Sequence, residues 1–81
     1  MPYIRKEKRV PLLSGSVPDN AGELNFQITS LITQYIRKHI LSYSTLNDVL
    51  GALEGCKLEL YRRVVAPYED KKIKENGDVY K

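Results

Sequence analysis

Arg62 and Arg63 stand side by side between Tyr61 and Tyr68, with Lys57 shortly before them and Glu69 and Asp70 just beyond. Guanidinium groups grip phosphate or carboxylate through paired donors, and tyrosine rings stack on nucleobases. Both chemistries lie within one or two helical turns, so these five residues are the candidate ligand site: Arg62, Arg63, Lys57, Tyr61 and Tyr68. Neighbouring residues on a helix point about 100° apart, so the two arginines cannot share one face. One is expected to serve the fold and the other a ligand or partner. Arg62 follows a face that carries Gly51 and Gly55, which makes it the better ligand candidate. A structural account fits the same residues equally well: Arg62 and Arg63 could pair with Glu59, Glu69 and Asp70 as a charge network around Pro67.

Catalysis is the weakest class. A nucleophile needs a base and an orienting group in a cleft, and the single His39 falls at the end of a helix while the serines cluster in loops. No phosphate-loop, dinucleotide or paired-cysteine pattern occurs. Glu69 and Asp70 are adjacent, so on a helix they diverge and make a poor acid/base pair. One cysteine and one histidine supply no zinc-ligand spacing. The expectation is therefore a protein without enzymatic activity, cofactor or metal.

The elements that must position these residues come from a short chain of 81 residues. A domain of that size buries only about 60% of its unfolded surface, so its own core is marginal. Hydrophobic residues make up 42% and charged residues 28%, which is too apolar for full disorder. Cys56 alone rules out an internal disulfide framework and fits a reducing compartment. No apolar run is long enough to span a bilayer, and no apolar run follows the basic N-terminal residues as in a secretory signal. A cytoplasmic protein is expected. The net charge of +3 is concentrated: Met1–Leu13 carries Arg5, Lys6, Lys8 and Arg9 against Glu7, and the remaining nine basic and nine acidic side chains cancel.

In chain order, Met1–Asp19 reads as an extended basic arm, because Pro2, Pro11, Pro18 and Ser14-Gly15-Ser16 interrupt helix. Residues 20–81 read as a helical domain. Asn20 is a good N-cap, and Glu23 completes a capping box. Leu24, Ile28, Leu31, Ile32, Tyr35 and Ile36 then recur on one helical face to near Leu41, with Arg37, Lys38 and His39 suiting the negative end of the helix dipole. Phe26 lies off that stripe. After Ser42-Tyr43, Ser44 or Thr45 caps a second helix running to Ala66. Its stripe is Leu46, Val49, Leu50, Leu53, Cys56, Leu60, Tyr61 and Val64, with Cys56 as a small core residue. So short a connection implies an antiparallel helical hairpin. Pro67 opens a shorter helix that stops at Gly77. The fold class expected is all-α.

Gly51 and Gly55 are one turn apart on a different face, continued by Leu58. Each costs about 1 kcal/mol against alanine inside a helix. Close approach of another backbone would offset that. Gly51, Gly55, Leu58 and Phe26 are thus the expected interface of a homo-oligomer.

Asn20–Thr29, Leu46–Glu59 and, above all, Tyr61–Tyr80 (YRRVVAPYEDKKIKENGDVY) resemble a small family of bacterial and tailed-phage proteins known only as a domain of unknown function. Met1–Ile4 is similar to that family's opening, while Lys6–Pro18 stands outside the resemblance. The resemblance implies a helical fold and a phage or mobile-element setting, hence the host cytoplasm, and no site residues. In that setting the residues support two functions. One is a homo-oligomeric binding protein for an anionic, nucleotide-like ligand, such as a counter-defence sponge. The other is a protein–protein or nucleic-acid interaction module acting on host machinery, although Glu54 and Glu59 would repel phosphates near Lys57 and the arginines.

Overall fold

A computed structural model of the chain describes residues 1–80. It is all-α, with no strand among those residues. Lys81, the last residue of the expected helical domain, lies outside the described residues. The chain forms two compact units, Met1–Leu46 and a second beginning at Asn47.

In the first unit, α1 (Lys6–Leu13) packs on α2 (Ala21–His39). The expected extended arm is therefore helical in its middle, and the reason is tertiary. Leu12 is 4% exposed, the one buried apolar side chain among the described residues. Gln27 Nε2 donates to the carbonyls of Leu12 (2.9 Å) and Ser16 (3.0 Å), clamping the end of α1 onto α2. Pro11 sits near the end of so short a helix, where its missing N–H leaves only one carbonyl, that of Glu7, without its usual donor. Gly15, at φ +103°, turns the chain back.

The start of α2 follows its sequence signals. Asn20 Oδ1 accepts from the Glu23 amide at 2.9 Å, and the Glu23 carboxylate accepts from the Asp19 amide and the Asn20 side chain. The helix ends at His39, two residues before the expected Leu41, because Ile40 adopts φ +73°. A β-branched residue there is strained. The connection is held by Thr45, which is 6% exposed and whose hydroxyl donates to the His39 carbonyl at 3.2 Å. Ser42 Oγ accepts from the Thr45 amide, so α3 (Tyr43–Leu60) is capped by Ser42 and not by Ser44 or Thr45.

The second unit departs most from expectation. The second helix does not end at Ala66 for a separate one to start at Pro67. Helical backbone is unbroken from α3 through a π turn at Tyr61–Val65 into α4 (Ala66–Asn76). The amide of Ala66 bonds to the Tyr61 carbonyl, five residues back. One wide turn lets the helix pass the proline, whose ring would otherwise clash with a carbonyl of the preceding turn. Gly77, at φ +91°, stops α4 as expected, with its amide on the Ile73 carbonyl at 2.8 Å. No residue from Asn47 to Tyr80 is buried. Cys56, expected in a core, is exposed, as are Leu50, Leu53 and Leu60 of the same stripe.

Candidate functional site

The π turn contains Tyr61, Arg62 and Arg63, so three of the five candidate ligand residues occupy the one irregular turn of the long helix. Such turns interrupt the i→i−4 ladder and are frequent at functional sites. The extra residue also changes which side chains share a face. In a regular helix, residues eight apart are about 80° out of register; one inserted residue brings them back to within about 20°. Tyr61 and Glu69 are such a pair. The Tyr61 hydroxyl donates to Glu69 Oε1 at 2.9 Å. That hydrogen bond, and then the negative charge of Glu69, hold the phenol above its ordinary value of 10.0; slight desolvation, Asp70 and Tyr80 push the same way.

Arg62 Nη2 donates to both carboxylate oxygens of Glu59, at 3.1 and 3.2 Å. Both side chains are largely in solvent, so the pair orients the guanidinium more than it stabilises the fold. Arg63 makes no ion pair among the described residues. Lys57 reaches Glu54 at 3.7 Å. Tyr68 carries the Lys72 ammonium 5.5 Å from its ring centroid, and Lys72 also pairs with Glu75 at 3.2 Å. The charge network foreseen around the proline is thus partly formed: Glu59 engages Arg62, while Glu69 engages Tyr61 and neither arginine.

A shallow groove of about 550 Å³ runs along α4 and the C-terminal tail, lined by Tyr61, Glu69, Asp70, Ile73, Asp78 and Tyr80 among others. Arg62, Arg63, Lys57 and Tyr68 do not line it. Three carboxylates, those of Glu69, Asp70 and Asp78, against the single cation Lys72 make it a poor seat for an anion. Sequence reasoning had no signal for this groove, since only the wide turn and the turn at Gly77 place Tyr61 near the tail.

The expected interface residues fall in both units, Phe26 in the first and Gly51, Gly55 and Leu58 in the second. A side chain added at Gly51 or Gly55 would meet nothing within 4 Å, and Leu58 is exposed beside them. Phe26 is half-buried, with the Arg9 guanidinium carbon 5.5 Å from its ring centroid, so α1 already covers part of it. His39 stacks on Tyr35 at 4.3 Å between ring centroids and its carbonyl is held by Thr45, both structural roles. No three His, Cys, Asp or Glu side chains among the described residues converge as a metal site. No described helix is long and apolar enough to cross a membrane.

Fold and site together define a small all-α protein whose polar candidate site lies in an irregular helical turn. The chain belongs to the family described as Domain of unknown function (DUF6899), whose model matches residues 1–79. That match includes Lys6–Pro18, the segment that stood outside the resemblance in sequence. No curated protein and no solved structure matches the chain.

Proposed function

We propose that this is a homo-oligomeric cytoplasmic binding protein, and that the open face of its π turn takes an anionic, nucleotide-like ligand. The carrying observation is Arg63, an arginine in the π turn with no acidic partner among the described residues. Its neighbour Arg62, the better ligand candidate by sequence, is engaged by Glu59 and points to another side of the turn, so it takes the structural role of the pair and Arg63 the ligand. Tyr68 and Lys57 follow and precede them on the same helical path. In a phage setting such a protein would act as a sponge, holding an anionic signal away from its receptor. Closure of the two long helices into an antiparallel hairpin and assembly through Gly51, Gly55 and Leu58 belong to the same proposal.

The test is the ultraviolet spectrum of the purified protein, which has six tyrosines and no tryptophan. Co-purified nucleotide would dominate near 260 nm, and Arg63→Ala should abolish it while leaving helicity intact. Unchanged ligand retention in both Arg62→Ala and Arg63→Ala would return the arginines to a purely structural role.

A second reading, an interaction module acting on another protein, is favoured by a separate observation. Leu50 is 66% and Leu53 is 38% exposed on a stripe whose spacing belongs to a packed helix. Light scattering separates the two readings. A homo-oligomer covers this stripe by itself, whereas a stable monomer would leave it for a foreign partner.

A further inference from the structure

The fold sets the charge that the sequence concentrates at its start on and beside the first turn of α1. Helix α1 carries Lys6, Lys8 and Arg9 within less than two turns, and Arg5 immediately precedes it. Arg5 has one acidic neighbour, Glu7 at 4.0 Å, and both side chains are largely in solvent, where such a pair is weak. Lys6 and Lys8 make no ion pair among the described residues. Arg9 is held in place: its Nε donates to the Ile4 carbonyl at 3.0 Å and its guanidinium lies over Phe26. Tyr3, two residues before Arg5, is 79% exposed. These cations also oppose the local electrostatics, because they crowd the positive end of a helix that has no side-chain cap. A chain that breaks a local rule without an internal gain is commonly doing so for an external partner.

We infer that the first turn of α1 docks single-stranded nucleic acid, whose flexible backbone can wrap the turn so that Arg5, Lys6 and Lys8, which point to different sides of it, each meet a phosphate while Tyr3 stacks on a base. The chemistry separates this partner from two other polyanions. A membrane surface would be met through a broad apolar face, and with Leu12 buried against α2 the helix leaves only Val10, Pro11 and Leu13 exposed, too narrow a face for insertion. Duplex DNA keeps its bases stacked and offers none to Tyr3. The surface lies in the first unit and does not depend on the ligand proposed for the π turn.

The test uses the full chain and a labelled oligothymidine, read by fluorescence anisotropy. Three phosphate contacts on a single strand imply a salt slope of about −2, so affinity should fall roughly 20-fold between 50 and 200 mM salt. The double variant Lys6→Glu with Lys8→Glu should lose at least about tenfold in affinity at 50 mM salt while keeping its circular dichroism, since acidic residues favour a helix N-terminus. Tyr3→Ala should lose about fivefold or more. The double variant should keep the same absorbance near 260 nm after purification as the native chain, which separates this surface from the π-turn site. The inference is overturned by no binding at 50 mM salt, by native affinity in the double variant or in Tyr3→Ala, or by binding to phosphatidylserine vesicles without binding to the oligonucleotide.

Discussion

The two units are held together by different physics. From Met1 to Leu46, one element packs on another: Leu12 and Thr45 are buried, Gln27 clamps the turn after α1, and Asn20 and Ser42 cap their helices. From Asn47 onward the described residues form a helix, a π turn, a helix and a short tail, with no residue buried. Its ion pairs among the described residues are close in sequence, Lys57–Glu54, Arg62–Glu59 and Lys72–Glu75, each worth a few tenths of a kcal/mol. Isolated helices are marginal in water, because most helical stability in proteins comes from packing of an apolar face. The second unit therefore carries a stripe that needs covering, which is why assembly forms part of the proposed function.

The contrast is broken most directly by large-to-small substitutions on each side. Leu12→Ala removes the buried side chain that joins α1 to α2, and should destabilise the first unit by about 2–3 kcal/mol, the lower part of the usual range because a short helix can settle inwards. Leu53→Ala, on an exposed stripe, should cost well under 1 kcal/mol in a monomer. If the stripe is covered in an oligomer, the Leu53→Ala loss should grow and the melting temperature should depend on protein concentration. Thermal melts of both variants at two concentrations read both effects. Equal, concentration-independent losses would remove the distinction between the units.

Capping comes next in size. Asn20→Ala leaves the Glu23 amide without its acceptor and should cost about 1 kcal/mol, measurable as a lower denaturant midpoint. Pro67→Ala probes the other unit. With an ordinary amide available at residue 67, the wide turn should relax to regular helix. That would rotate α4 by about 100° relative to α3 and separate Tyr61 from Glu69. The expected readout is a Tyr61 phenol that titrates near its ordinary value while helicity stays the same or rises. Persistence of the raised value would mean that something other than the proline imposes the turn.

The same contrast explains what could be read from sequence. The course of α2 was legible because Asn20, Glu23 and the cations at Arg37–His39 all obey local rules, and so was the stop at Gly77. Helix α1 was not, because Pro11 and Ser14-Gly15-Ser16 are local breakers, while Leu12 and the Gln27 clamp act across 11 to 15 residues of sequence. The residues of the candidate site were legible as types, two arginines beside two tyrosines. Their geometry was not, since a proline in a helical pattern signals a break and nothing in the residue pattern distinguishes a break from a π turn. That wide turn decides that Tyr61 meets Glu69, eight residues on, whereas the Glu59–Arg62 pair is of the i,i+3 kind that any helix allows.

The smallest effect expected is also the most local. The folded Tyr61 phenol titrates above 10.0, because its hydrogen bond to Glu69 and the adjacent negative charge disfavour the phenolate. In the unfolded chain those neighbours disperse and the phenol returns to its ordinary value. A group whose folded value is raised contributes stability while protonated in both states, and that contribution disappears as pH rises through the folded value. Stability should thus be insensitive to this pair from neutral pH up to about 10 and decline only above it. Because the phenol is in solvent, the decline should be slight. Glu69→Gln removes the charge and keeps an acceptor of the same shape. Ultraviolet titration of that variant should show Tyr61 moving back towards 10.0, with no change in helicity. A titration curve identical to that of the native chain would mean that the bond to Glu69 does not persist in solution, and the π turn would then lose the side-chain hydrogen bond that ties it to α4.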